Sequence, residues 1–190
     1  MKPTTLAALI APIFGATKSL ADRERIATNL NLHVNTTIDH PSLAAQQMTA
    51  QTFVNAYNAW NIEAIMEYRT PDCQQQVLPF SMGKPAKNNT EYRSYFESIM
   101  PLFSNFTVKV HNEFHNAEAR TSYMHASSRA ETAIGTYANE YALVLSFTKD
   151  GTKITKIEEF VDSAYSAQFF AKLAISASKA EMQECVFAEV

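Results

Sequence analysis

The 190 residues are 46% hydrophobic and 18% charged, a balance that suits one domain with a real core and excludes a disordered or fibrous chain. A formal net charge of −3 offers no clustered basic face of the kind nucleic acid requires, so a nucleic-acid partner is set aside. Eight Tyr, twelve Phe and seven Met against four Gly supply large, adaptable side chains that suit an apolar ligand pocket and an ordinary core alike.

Residues 1–41 read as an N-terminal appendage. Lys2 precedes an apolar run from Leu6 to Ala16, and Ser19-Leu20-Ala21 has the outline of a cleavage site, as in a secretory signal over residues 1–21. Pro12 and Lys18 speak against that outline, and the run is too short to span a membrane. Sequons at Asn35, Asn88 and Asn105 agree with secretion but are too frequent by chance to decide it. Secretory and cytoplasmic routes both stay open, and the alternative is an amphipathic helix packing on the domain. Residues 22–41 form a connector, residues 42–175 the domain and residues 176–190 a C-terminal tail.

From Ser42, an N-cap, to Trp60, the apolar positions Ala50, Phe53, Val54, Tyr57 and Trp60 recur at three and four, one face of a helix. Asn61 caps a short second helix carrying Ile62, Ile65 and Met66. It finishes near Arg69, because Thr70 precedes Pro71 and is pushed toward extended geometry. Gln74 to Leu78 reads as a short strand, and a third helix from Thr90 to Met100 turns Tyr92, Phe96 and Ile99 inward.

Beyond Pro101 the period changes to two. Phe106–His115, Arg120–Thr132, Tyr137–Phe147 and Lys153–Val161 are expected to form an antiparallel meander, with Asp162 or Ser163 capping a closing helix that bears Ala164, Phe169, Phe170 and Leu173. Helices on one face of a curved sheet make an α+β cone with an internal cavity.

The last two strands, joined by Lys149-Asp150-Gly151, hold the chemical oddity. Tyr137, Asn139, Tyr141, Leu143, Leu145 and Phe147 share one side, as do Ile157, Glu159 and Val161. If these sides face the core, a carboxyl lies among aliphatic side chains near two tyrosines and an amide. Such a group is hydrogen-bonded or kept protonated.

Cys73 and Cys185 belong to no motif, and of the five histidines only His111 and His115 have ligand-like spacing. On a strand those two share a side with Thr107, Lys109 and Glu113, opposite Phe106, Val108, Val110 and Phe114, and are expected to be solvated. Neither a metal nor a cofactor is expected.

The strings YRTPDCQQQVLP, NNTEYRSYFESIMPLFSNFTV, GTYANEYALVL and EEFVDSAYSAQFF resemble the fungal SnoaL-like branch of the NTF2-like fold. That branch serves secondary metabolism and includes the cofactor-free semipinacolase isomerase of brevianamide-type indole alkaloid pathways. The resemblance covers about Ser42 to Leu173. It implies a catalytic set of Arg69, Tyr137, Tyr141 and Glu159, a small-molecule natural-product substrate and a homodimer through the outer sheet face. Many relatives have Pro where this chain has Thr136, which bears on the pocket rim.

In this reading Glu159 is the general acid or base, and the tyrosines donate to a developing oxyanion and stack on a flat substrate. Arg69 anchors a carbonyl or keeps Glu159 ionised. The expected substrate contacts are Phe53, Tyr57, Trp60, Met66 and Phe96 as apolar walls, with Asn139 and His125. Asp162 caps the last helix, turned away from Glu159. The expected activity is a semipinacol-type isomerisation; a cyclase, a dehydratase of the scytalone type and a non-catalytic binder of hydrophobic metabolites are the alternatives.

Overall fold

The computed structural model describes residues 43–187, with side chains through residue 179. The appendage of residues 1–41, its signal-like segment, the Asn35 sequon, Ser42 and the Cys185 side chain lie outside the described residues.

Helix α1 (Leu43–Asn58) buries Ala50, Phe53 and Val54 on its inward face, with Gln46 and Thr49. Helix α2 (Ile62–Glu67) starts where the Asn61 side chain accepts from the Ala64 amide at 3.0 Å, satisfying a donor that the first turn leaves open. The chain is extended by Arg69, and strand β1 runs Arg69–Leu78. Helix α3 (Asn89–Ile99) opens on a capping box between Asn88 and Glu91. Pro101 follows in a single 3-10 turn (Met100–Leu102).

Strands β2 (Ser104–Asn116), β3 (Thr121–Thr132), β4 (Gly135–Phe147) and β5 (Ile154–Val161) form the expected meander. Gly151, at φ 75°, supplies the left-handed residue of the β4–β5 turn. Helix α4 (Ser163–Phe187) begins where Asp162 Oδ1 accepts from the Tyr165 amide at 3.0 Å. It continues into the segment read from sequence as a tail.

The sheet order is β1-β5-β4-β3-β2. An all-antiparallel sheet was expected, and one edge corrects it: β1 joins as a fifth strand and pairs parallel with β5, setting Gln75 against Ile157 and Val77 against Glu159. A parallel neighbour needs a long crossover, here supplied by everything between β1 and β5. Local alternation carries no trace of such a pairing.

A second correction concerns β2. Its pairing with β3 slips between Val110 and Asn112, so one extra residue, His111, sits on the β2 side and later side chains change face. Phe114, expected inward, is 62% exposed, its ring 6.2 Å from that of Tyr123. His115, expected in solvent, turns inward and bonds the buried Ser122 hydroxyl at 2.7 Å. His111 stays outward as expected, bonding Ser127 Oγ at 2.8 Å.

The core lies between α1 and the concave sheet face: Phe53 and Val54 meet Met124, Leu143, Leu145, Phe147, Ile154 and Ile157. A second cluster joins Phe103, Ala130 and Tyr137 to Phe169 and Leu173 of α4. A third joins Ala56 and Ile65 to Tyr92 and Phe96 of α3. Among the described residues no helix is long and apolar enough to cross a membrane.

Candidate active site

The clusters part around a cavity of about 790 Å³, between the concave sheet face and helices α1, α3 and α4. Phe53 and Tyr57 wall it from α1, Phe96 from α3 and Phe170 from α4. Trp60, held left-handed at φ 48° just past α1, stacks on Phe106 with centroids 4.0 Å apart and also lines the cavity. Phe53, Tyr57, Trp60 and Phe96 are thus where the sequence reading put them. Met66 is not: it packs on the α2–α3 cluster, because Tyr92 and Phe96 occupy the cavity side of that layer.

Glu159 projects from β5 into the cavity, opposite Leu143 of β4 and Val77 of β1. Gln75 Nε2 donates to Glu159 Oε2 at 3.0 Å, and Gln75 Oε1 accepts from Arg69 Nη2. A guanidinium only donates, so it fixes the amide with its oxygen toward Arg69 and its nitrogen toward the carboxyl. Arg69 is therefore not in the cavity wall. It is buried at the start of β1, its guanidinium 4.1 Å from the Tyr92 ring centroid, and reaches the carboxyl through Gln75.

Burial pushes the Glu159 carboxyl above its usual range, while the Gln75 hydrogen bond and the Arg69 charge pull it back without cancelling the rise. The sheet geometry joins the carboxyl, the amide and the cation through two successive hydrogen bonds. Of the carboxyl oxygens, Oε2 is committed to an N–H donor, so a proton on this group rides on Oε1.

On β4 the second half of the site is a chain of hydroxyls. Tyr137 Oη lies 2.9 Å from Tyr141 Oη, and Tyr141 Oη lies 2.8 Å from Ser128 Oγ of β3. Asn139 Nδ2 donates to Tyr137 Oη at 2.9 Å and to Ser166 Oγ of α4 at 2.8 Å. Its Oδ1 accepts from the Glu140 amide at 2.9 Å, which fixes the amide orientation. Both Asn139 N–H groups are spent on these partners, so the residue orients Tyr137 and has no donor left for a ligand. Because Tyr137 Oη accepts from Asn139, its own proton points along the chain or to a bound oxygen. Burial raises the Tyr137 hydroxyl to about 12 and that of Tyr141 well above the usual value; both stay protonated donors at neutral pH.

Three residues that the sequence reading did not assign to the site belong to the same surface. Gln75 is one; its signal was the alternation Cys73, Gln75, Val77 along β1. Tyr92 Oη sits 2.6 Å from Tyr57 Oη, and the Tyr95 hydroxyl, which burial pushes up to about 12, also lines the cavity.

His125 is a correction. It faces the opposite side of the sheet, where Nε2 meets Glu140 Oε1 at 2.5 Å and its ring lies 5.0 Å from that of His111. The buried β3 residues are Ser122, Met124, Ala126, Ser128 and Ala130, so alternation forces His125 outward. Thr136 also faces out, donating to Glu131 Oε2 at 3.0 Å; it does not touch the rim. Among the described residues no group of three His, Cys, Asp or Glu side chains could hold a metal ion.

A curved sheet closed by helices over a cavity with a carboxyl at its floor defines the NTF2-like, SnoaL-like class. The architecture matches that of a SnoaL-like polyketide cyclase from Shewanella denitrificans OS-217 (9% identity, TM-score 0.56, 67% of this chain and 95% of that chain), a likeness of fold alone. No family model matches the chain. It is 34% identical over 128 residues to the monooxygenase nsrQ of Aspergillus novofumigatus (strain IBT 16806), covering 67% of this chain and 85% of that protein. The crystal structure of the BvnE pinacolase from Penicillium brevicompactum superposes with a TM-score of 0.68 at 29% identity, over 71% of this chain and 94% of that chain. The chain belongs to the fungal SnoaL-like family that includes nsrQ.

Proposed function

We propose that the chain is a cofactor-independent isomerase that performs a semipinacol-type shift on an oxidised polycyclic intermediate of fungal secondary metabolism. The carrying observation is the pairing across one cavity of Glu159, whose burial favours the protonated form, with the Tyr137–Tyr141 hydroxyl chain. The likeness to the BvnE pinacolase supports this reading.

The steps need only proton movement. Glu159 Oε1 lends its proton to the imine nitrogen, or other basic atom, beside the migration terminus. The migrating carbon–carbon bond shifts its electron pair to the carbon made electron-poor. The carbinol carbon it leaves becomes a carbonyl, and the hydroxyl proton returns to the carboxylate. Atoms and electrons balance within the substrate. The tyrosines donate to the oxygen as charge changes on it, and the apolar walls hold the ring system so that one bond is aligned to migrate. Arg69 and Gln75 position the carboxyl.

The test is Glu159→Gln with the pathway intermediate. Turnover falls on the order of a hundredfold or more while ligand affinity stays at the parental level, and the parent's product has the mass of the substrate. Parental turnover by the variant would overturn the acid–base assignment. Binding without conversion by the parent would favour a carrier, and loss of water a dehydratase.

The monooxygenase name of the 34% identical relative favours one second reading. As a base, Glu159 takes a proton from an activated CH₂, the carbanion reduces O₂, and the carbon leaves as C=O with release of water. Labelled dioxygen separates the two, since the isomerase incorporates none. Homodimerisation through the outer sheet face, where Phe114 and Tyr123 are exposed, is part of the same proposal and is read by sedimentation equilibrium.

A further inference from the structure

We propose that the ligand of this cavity is an aromatic polycycle bearing a carboxylate, with the carboxylate held at the mouth by Lys84, Lys87 and the Tyr95 hydroxyl. This rests on the reading of the cavity as the substrate site and adds the substrate's charge and orientation.

Most polar groups facing the cavity are already matched inside the protein. Gln75 is spent on Arg69 and Glu159, Asn139 on Tyr137 and Ser166, Tyr57 on Tyr92 and Tyr141 on Tyr137 and Ser128. The remaining protons of the hydroxyl pairs and of Glu159 serve the floor, and the cationic donors lie elsewhere. Lys84 and Lys87 are the cations among the lining residues, and neither forms an ion pair with a described residue. The Lys87 ammonium lies 5.2 Å from the Tyr95 ring centroid. The Tyr95 hydroxyl has no hydrogen-bond partner among the described residues.

Of these, Lys87 has a fixed place, and Lys84 lines the same cavity three residues before it. Lys87 and Gln75 exchange both backbone hydrogen bonds, each 2.9 Å, so the rim lysine is tied to the strand that steadies Glu159. A neutral hydrocarbon would leave these donors unanswered and could lie either way round in a wall of Phe and Trp. A carboxylate answers two cations and a hydroxyl at once, and points the opposite end of a flat ligand toward the floor. A simple phenol, with a pKa near 10, is neutral at pH 7 and gains little from the lysines.

The experiment is equilibrium fluorescence titration at low salt and neutral pH with anthracenecarboxylate, its methyl ester and hydroxyanthracene. The parent binds the carboxylate about fivefold tighter than the other two, and added salt narrows the gap. Lys84→Met/Lys87→Met abolishes the preference while ester affinity holds, and Tyr95→Phe reduces it; the single lysine variants carry the same comparison if the pair does not fold. Equal affinity of parent for carboxylate and ester, or a preference that survives loss of both lysines, overturns the proposal. So does hydroxyanthracene binding as tightly as the carboxylate. The readout is independent of turnover. A Glu159→Gln protein that keeps the carboxylate preference but converts substrate at the parental rate overturns the isomerase reading and leaves this one standing.

Discussion

Gln75 donates to Glu159 across 3.0 Å from a neighbouring parallel strand, and this bond opposes the effect of burial on the carboxyl. The Arg69 guanidinium fixes the amide from behind, so the carboxyl always meets an N–H, a contact that favours its charged form. Burial works the other way and prevails. The result is a carboxyl poised between two opposing influences, each traceable to a side chain.

Gln75→Leu removes the contact that lowers the Glu159 pKa, so the pKa rises further. The limb of the pH profile of kcat/KM that reports Glu159 then moves to higher pH. Arg69→Met moves it the same way by removing a favourable charge. A pH profile left in place in both variants would mean that Glu159 is not the group that titrates.

Stability should carry the same signature. The folded-state pKa of Glu159 lies above the unfolded value of about 4.3. Its contribution is full below that value and is lost as pH rises through the folded pKa. Glu159→Gln, which never ionises, therefore gains in Tm over the parent as pH rises from 4 toward neutrality. Thermal melts of both proteins across that range check the sign; a gap that widens toward acid contradicts it.

In the hydroxyl chain, Tyr141→Phe removes the middle link and Tyr137→Phe the end that Asn139 orients. Each variant should lower kcat by about a hundredfold, the scale of a lost oxyanion donor, with a smaller change in KM. The double variant should fall well short of the product of the two effects, because the groups act as one unit. Single-turnover kinetics on the three proteins make the comparison.

Tyr137, Asn139, Tyr141 and Glu159 follow the alternation because β4 pairs with β3 without a slip from Gly135 to Ser146 and with β5 from Tyr141 to Ser146, where a period of two holds. The same rule failed on β2, where the residue inserted at His111 exchanged the faces of Phe114 and His115. His125 differs for another reason: alternation on β3 separates Tyr123, His125 and Ser127 from Met124, Ala126 and Ser128 but does not say which set the helices cover. Gln75 escaped notice because its role depends on a parallel partner 84 residues away and it stands in a run of three glutamines. The resemblance points to Arg69, but its seat over the Tyr92 ring, one residue removed from Glu159, follows from packing that a string of residues does not encode.

The two-bond bridge between Gln75 and Lys87 closes the intervening residues into a loop with a pinned base. The Gln76 side chain, donating to Lys84 O at 2.8 Å, ties the loop to β1 at a second point, so residues 79–83 are the part with the fewest ties to the strand beneath. The loop and the cavity floor around Glu159 therefore meet chiefly through Gln75 and Gln76. A laboratory wishing to broaden what the scaffold accepts would graft at this loop and leave the reaction centre untouched.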